Sequence, residues 1–153
     1  MIVEVVGAVI RDAAGRLLTV RKRGTTRFML PGGKREPGED DATALARELR
    51  EELGVEVVTA SRLGRFEAPA ANEPGATVRS SAYIVETAGE IAIAAEIEEL
   101  LWIDPANPPD VPIAPLLVSH ILPSLNGDGQ PAKPSGEDRD SPTLAAAQPV
   151  PPH

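Results

Sequence analysis

Cysteine is absent from this chain and aromatic residues are scarce. Without cysteine, disulfide bonds, thiolate zinc sites and thiol nucleophiles are excluded for this sequence. The aromatic residues are Phe28, Phe66, Tyr83 and Trp102. Core packing explains each of them as well as stacking on a ligand does, so the sequence alone identifies no base-stacking site.

The sequence also lacks a long hydrophobic run, and it has only two histidines. Its apolar start, residues 2–10, contains Glu4, has no basic segment before it and is too short to span a bilayer. His120 lies in a predicted terminal helix and His153 in a predicted tail, and we assign neither to the chemistry. We expect a cytoplasmic protein with no membrane partner.

The balance of charge is strongly acidic. A formal net charge of −8 argues against a nucleic-acid polymer as the partner, because the field of the whole chain repels polyanions. A small phosphorylated substrate remains compatible, since a bound cation and a local group of basic side chains outweigh distant charges at physiological salt. A hydrophobic content of 42% in 153 residues fits a single core.

Three acidic side chains crowd together in the segment 33–55. Read as a helix, Glu48, Glu51 and Glu52 stand at i, i+3 and i+4. Like charges at this spacing cost a few tenths of a kcal/mol per pair, whereas a divalent cation among the oxygens reverses the sign. Oxygen ligands of this kind suit Mg²⁺ or Mn²⁺. The alternative is a solvated helix face, which explains most runs of charge.

Local signals around these acids predict where the helix begins and ends. Pro37-Gly38 interrupts the preceding segment, and Asp40 or Asp41 can cap the first turn. Gly54 can adopt the left-handed conformation that closes a helix. The predicted apolar stripe consists of Ala42, Leu45, Ala46, Leu49 and Leu53.

The same segment resembles the complete Nudix box. The matching positions are Gly33, Glu39, Arg47-Glu48-Leu49, Glu51-Glu52 and Gly54-Val55. Agreement at nine specified positions over twenty-three residues is rare by chance. Outside the box the resemblance extends loosely over about the first 125 residues. It implies an α/β class domain with the Nudix α/β/α sandwich, in which a mixed sheet lies between helices.

The resemblance also implies roles for the residues of the box. Glu51 and Glu52 match metal ligands, Glu48 matches a further ligand or the general base, and the carbonyl of Gly32 matches a frequent ligand. A loop residue of some family members adds a ligand or base, a role that we assign to Glu96 against the alternative of an exposed turn. Structural roles are implied for Gly33, Glu39, Arg47 and Gly54.

Substrate phosphates require basic groups near these acids. We expect contacts from Lys34, beside the glycine bend, and from Arg21, Arg23 or Arg27 on the preceding strand and loop. The alternative is a solvated basic strand face.

The remaining pattern predicts the order of elements. We expect an N-terminal hairpin with a turn at 12–15, and strands over 56–67 and 77–86. A short strand, a turn near 94–99 and a strand ending at Asp104 should follow, and then a helix over 113–125. The segment 68–76 is either a binding lid or an ordinary surface connection. We predict one domain, 1–125, a disordered tail, 126–153, and a homodimer as a possibility common in the family.

These features predict metal-dependent hydrolysis of a diphosphate linkage in a nucleoside diphosphate derivative. Pro69, fourteen residues after Val55, resembles a mark of ADP-ribose enzymes and favours ADP-ribose or a nucleotide sugar. One alternative is a pyrophosphohydrolase that cleanses the nucleotide pool of oxidised nucleoside triphosphates. Another is a non-catalytic module that binds a nucleotide and regulates a partner, although such modules usually lose box acids that are all present here.

Overall fold

The computed structural model describes residues 1–127 and 143–144. The strands are β1 (Ile2–Val9), β2 (Leu17–Lys22), β3 (Gly32–Lys34), β4 (Glu56–Pro69), β5 (Thr77–Ala88), β6 (Ile97–Ile103) and β7 (Thr143–Leu144). The helices are α1 (Asp41–Leu53), a π-helical segment (Leu117–Ile121) and α2 (Leu122–Leu125). The prediction of a disordered tail falls mostly on 128–142 and 145–153, outside the described residues. No helix of the described part is long and apolar enough to cross a bilayer.

The main sheet is mixed and has the strand order β3-β1-β5-β4-β7. Its central pair, β1 and β5, runs parallel, and its other pairs are antiparallel. A separate antiparallel pair joins β2 to β6. One core lies between the main sheet and α1, with Leu45, Leu49 and Leu53 on the helix side. A second core is formed with the C-terminal helical segments through Leu117 and Ile121, which gives the layered α/β arrangement expected for the chain.

The predicted N-terminal hairpin is wrong in its pairing. The turn at 12–15 does form, since the Asp12 amide donates to the Arg16 carbonyl at 3.0 Å. The strands on either side then separate, and β1 pairs with β3 and β5 while β2 pairs with β6. The second half of β1 is fully buried, and a strand covered on both faces sits stably in the centre of a sheet with neighbours on both sides.

The segment before β6 also differs from its prediction, because no strand forms between β5 and Ile97. Instead, the amides of Ala92 and Ala94 donate to the carbonyls of Leu53 and Glu52, each at 2.9 Å. Carbonyls in the last turn of a helix have no partner within the helix, and this segment satisfies two of them. It thereby fixes the chain leading to Glu96 against the end of α1.

The C-terminal helix is confirmed in place but not in form. Its predicted inner face is buried at Leu116, Leu117 and Ile121, while Leu125 is partly buried. The helix is π-helical up to Ile121 and α-helical after it. Pro123 has no amide hydrogen to donate to the carbonyl four residues earlier, so a regular α-helix cannot continue through this point.

The start of α1 depends on one side chain. Asp40 has extended backbone angles, and its carboxylate accepts a 2.9 Å hydrogen bond from the amide of Thr43. We expect Asp40→Ala to lower the free energy of unfolding by about 1 kcal/mol, because an amide of the first turn then loses its partner. Urea denaturation measures this change, with the exposed Asp110→Ala as control. Equal losses in both variants would contradict the capping role.

Candidate functional site

Helix α1 presents two of the box carboxylates to the glycine bend. Glu52 is only 2% exposed, and its Oε1 accepts a 3.1 Å hydrogen bond from the amide of Gly32. Its Oε2 is buried without a hydrogen-bond partner in the described structure. Glu48, one turn earlier, lies on the same side of the helix, against Gly33.

Both glycines of the bend are required by close contacts. Gly32 has a φ of +142°, and a Cβ atom there would collide with the carbonyl oxygen of Val6 on β1. A Cβ atom on Gly33 would lie 2.5 Å from Oε2 of Glu48. One glycine therefore permits the backbone path, and the next leaves room for a carboxylate.

Burial changes the acidity of Glu52. Loss of solvent contact, aided by the negative charge of Glu48, raises the pKa of this carboxyl to about 8, although the Gly32 amide and Lys22 act in the opposite direction. A carboxyl in such surroundings holds a proton near neutral pH unless a cation balances its charge.

Arg47 connects several residues of the box through hydrogen bonds. Its guanidinium donates to both oxygens of Glu39, at 2.7 and 2.8 Å, and to Glu48 at 3.1 Å. It also donates to the backbone carbonyl of Lys34 at 3.1 Å, and the ion pair expected with Glu51 forms at 3.5 Å. The Arg47 hydrogen bonds lower the pKa of Glu39 to about 2, and these contacts connect α1 to the glycine bend.

The three box carboxylates are not equivalent. The Glu51 side chain is 54% exposed and bonds to Arg47, whereas Glu48 is 14% exposed and packs on Gly33. Among the described residues, no three or more His, Asp or Glu side chains already converge as a metal site. The buried oxygen of Glu52 without a partner, the adjacent Glu48 and the nearby Gly32 carbonyl are hard oxygen donors that fit a divalent cation.

A cavity of about 460 Å³ opens beside these acids. Its charged lining residues are Lys22, Lys34, Glu48, Glu73 and Glu96. Most of the remaining wall is apolar and includes Val3, Val5, Val78, Leu116 and Leu117. None of the four aromatic residues lines it. Such a cavity, with charged side chains at one part and an apolar wall at another, suits a ligand that carries both a charged group and an apolar group.

The structure separates the predicted phosphate-binding residues. Lys34 lines the cavity. Arg21 bonds to Glu99 at 2.9 Å and Arg23 pairs with Glu98 at 3.3 Å. Neither of these arginines nor Arg27, which is exposed, lines the cavity. Of the four predicted residues, Lys34 alone lies on the cavity wall.

Lys22 is a cavity residue that sequence reasoning missed. It lines the cavity and pairs with Glu96, Nζ to Oε2, at 3.4 Å. Strand alternation was the available signal, because Leu18, Val20 and Lys22 fall on one face of β2, and the first two belong to the core under α1. The same contacts put the proposed Glu96 at the cavity wall, close to the end of α1.

Comparison with known proteins identifies the family of the chain. The model of the NUDIX domain matches residues 1–120. A Mycobacterium tuberculosis protein named "Putative 8-oxo-dGTP diphosphatase 2" is 36% identical over 104 residues, covering 66% of this chain and 72% of its own length. The CTP pyrophosphohydrolase of Escherichia coli is 34% identical over 117 residues, covering 74% of this chain and 84% of its own.

Solved structures show the same fold. The E. coli ORF135 protein superposes with a TM-score of 0.62 at 28% identity, covering 82% of this chain and 86% of that one. A MutT NUDIX hydrolase from Burkholderia pseudomallei superposes with a TM-score of 0.67 at 24% identity, covering 85% and 99%. The family generally uses divalent metal ions. On this evidence the chain belongs to the NUDIX family, whose members are pyrophosphohydrolases.

Proposed function

We propose that the protein hydrolyses a nucleoside triphosphate, in a metal-dependent reaction, to the nucleoside monophosphate and pyrophosphate. The observation that carries the proposal is the pair of acids, Glu48 and Glu52, held against the glycine bend beside a cavity of nucleotide size. The choice of a triphosphate is supported by two relatives, at 36% and 34% identity, named for 8-oxo-dGTP and CTP.

The residues of the site divide the work. Glu52, with the carbonyl of Gly32, and Glu48 would hold the cation, and Glu51 would join them from its exposed position beside Arg47. A divalent cation bound there would polarise phosphoryl oxygens and make a bound water more acidic. Lys34 and Lys22, both on the cavity wall, supply positive charge for the phosphate oxygens.

The reaction needs a base as well. Hydrolysis adds one water across the anhydride between the α- and β-phosphates: a new P–O bond forms, the bridging P–O bond breaks to release the monophosphate and pyrophosphate, and a proton leaves the water. Glu48, which packs on the glycine bend, and Glu96, which pairs with Lys22, both line the cavity, and either can accept that proton. Arg47 acts as a positioning residue, because it holds Glu48 and the Lys34 backbone together.

A second candidate keeps the substrate class favoured by the sequence, ADP-ribose or a nucleotide sugar. Its support is Pro69, which lies at the end of β4 and lines the cavity. The same acids would then cleave the diphosphate linkage of that derivative. The non-catalytic module is not retained, because the relatives are named as hydrolases and every acid of the box is present.

A product assay separates these candidates. We expect CTP, dGTP and 8-oxo-dGTP to yield the monophosphate and pyrophosphate with Mg²⁺ or Mn²⁺, and to stay intact in EDTA. ADP-ribose and a nucleotide sugar should be cleaved at least about tenfold less efficiently, a difference of about 1.4 kcal/mol in transition-state binding. Chromatography of the products measures both.

The controls identify the site as the source of turnover. Glu51→Gln should abolish hydrolysis while the protein stays folded, and the exposed Glu90→Gln should change nothing. Preferred cleavage of ADP-ribose would replace the first candidate by the second. Turnover that persists in EDTA would contradict both.

A further inference from the structure

Three uncharged polar side chains line the cavity, and one of them, Thr25, already donates its hydroxyl to the Lys22 carbonyl at 2.7 Å. The other two are set into the apolar wall. Ser80 on β5 lines the cavity and is only 1% exposed. Asn72, in the loop between β4 and β5, is half-buried and also lines it. The proposed cation site and its lysines do not explain either residue.

The Ser80 side chain is buried, but its hydroxyl oxygen keeps access to the cavity. No hydrogen bond joins its hydroxyl to any group within residues 1–127 and 143–144. It stands opposite Val5 on the parallel strand β1, next to Val78 on its own face of β5. On the other side, β4 places Phe66 opposite Ser80. A hydroxyl among such apolar neighbours gains from a hydrogen-bond partner, and the cavity is where such a partner would sit.

Asn72 has only a weak partner. Its Nδ2 donates to the sulfur of Met29 at 3.9 Å, and a thioether is a poor acceptor. The loop around it is closed by a 2.9 Å hydrogen bond from the Ala70 amide to the Ala76 carbonyl. The ordered loop therefore holds the Asn72 side chain at the wall. Its amide can leave the Met29 sulfur and donate a hydrogen bond to a better acceptor.

The position of Ser80 in the sheet gives its approximate distance from the glycine bend. In the order β3-β1-β5, it is two strands away from the glycine bend that holds Glu48. Neighbouring strands are about 4.8 Å apart, so Ser80 lies roughly 10 Å across the sheet from that bend. A nucleotide with its phosphates at Lys34 would bring its base towards this apolar wall.

We propose that the Ser80 hydroxyl and the Asn72 amide read the hydrogen-bonding edge of the nucleobase; this inference rests on the nucleotide substrate of the proposed function. No aromatic side chain lines the cavity, so apolar packing and these two groups carry the recognition of the base. Hydroxyl and amide groups can each donate and accept. The pocket should therefore accept more than one base and discriminate between bases by a modest factor.

Two variants and two matched controls test the assignment. Ser80→Ala and Asn72→Ala should each lower kcat/KM for the preferred nucleoside triphosphate about tenfold, mainly through KM, the loss expected for one hydrogen bond to a buried group. The ratios of kcat/KM among CTP, dGTP and 8-oxo-dGTP should move towards one by a similar factor. Hydrolysis of a ribose triphosphate that lacks a base should be unchanged.

Ser81→Ala and Asn107→Ala are the controls. Ser81 is the next residue of β5, whose side chain points to the other face, and Asn107 is exposed in a distant loop. Both should keep the base preference of the wild type. Ser80→Ala should also unfold at the same temperature as the wild type or higher, because its hydroxyl has no partner to lose in the free protein.

The outcomes distinguish this inference from the function beneath it. An unchanged base preference in both Ser80→Ala and Asn72→Ala overturns the inference while leaving nucleotide hydrolysis in place. Absence of turnover for every nucleotide overturns the proposed function, and calorimetric binding of nucleoside monophosphates then decides the inference alone. Weaker binding by both variants supports it, and wild-type affinity overturns it.

Discussion

Glu52→Gln should make the metal-free protein more stable and the enzyme inactive. The wild-type carboxylate is 2% exposed with one oxygen unpaired, so ionising it inside the protein is costly. Glutamine has nearly the same shape without the charge. The variant tests whether this acid is kept for chemistry at the expense of stability.

The sign of the pH dependence follows from the pKa. In the unfolded chain Glu52 ionises near pH 4.5, and in the folded protein burial raises its pKa to about 8. Between these values the folded state binds more protons than the unfolded state, so stability falls as the pH rises. In EDTA at pH 8.5 we expect Glu52→Gln to exceed the wild type by a few kcal/mol, and below pH 4.5 the advantage should disappear.

The activity of Glu52→Gln should fall although its stability rises. Loss of a metal ligand removes several kcal/mol of transition-state stabilisation, about 10³-fold in kcat. Thermal unfolding in EDTA at several pH values and pyrophosphate release with Mg²⁺ measure the two effects. Glu51→Gln is the matched control, because its side chain is 54% exposed and should give no gain in stability. If Glu52→Gln is less stable than the wild type at pH 8.5, then burying the ionised Glu52 carboxylate does not lower the stability of the protein.

Gly33→Ala should fold and yet lose activity. A Cβ atom at this position would lie 2.5 Å from one carboxylate oxygen of Glu48 and 2.9 Å from the other. Gly33 lacks the positive φ of its neighbour, so alanine is compatible with the backbone, and only the carboxylate must move. We expect kcat to fall about 100-fold, because a ligand or base displaced by an ångström is no longer aligned.

Two further variants show whether the contact between the introduced methyl group and the Glu48 carboxylate causes the loss of activity in Gly33→Ala. Gly32→Ala should instead destabilise the fold, since its Cβ atom would strike the backbone carbonyl of Val6 and its φ is +142°. Glu48→Asp in the Gly33→Ala background shortens the carboxylate and should restore part of the lost activity. If Gly33→Ala has wild-type kcat, the packing of Glu48 on Gly33 has no role in catalysis.

The box helix was predictable because its signals are local. Gly54 closes it with a φ of +71°, as the sequence indicated, and of the two candidate caps, Asp40 and Asp41, the structure uses Asp40. The pairing of β1 was not predictable in the same way, since its partners β3 and β5 are set by contacts far apart in sequence. A turn between two strands predicts their proximity at the turn, but not that they share a sheet.

The difference in burial among the three box acids could also have been predicted from the sequence. Glu52 follows Leu49 by three residues and Leu45 by seven, which is the spacing of the buried stripe itself. Glu51 is rotated from it by about 100°, towards solvent. Placing all three acids on one helix face hides the difference in exposure between Glu52, which is buried, and Glu51, which faces solvent. The hydrogen bond from the Gly32 amide to Glu52 depends on how the bend packs on α1, and no local pattern predicts it.

The most direct test of the account is a titration with Mn²⁺ followed by electron paramagnetic resonance, on the wild type, Glu52→Gln and Glu90→Gln without nucleotide. We expect the wild type and Glu90→Gln to bind Mn²⁺ with equal affinity, and Glu52→Gln to bind it at least about tenfold more weakly. Equal binding by all three proteins would contradict the claim that the buried acid of the box holds the metal.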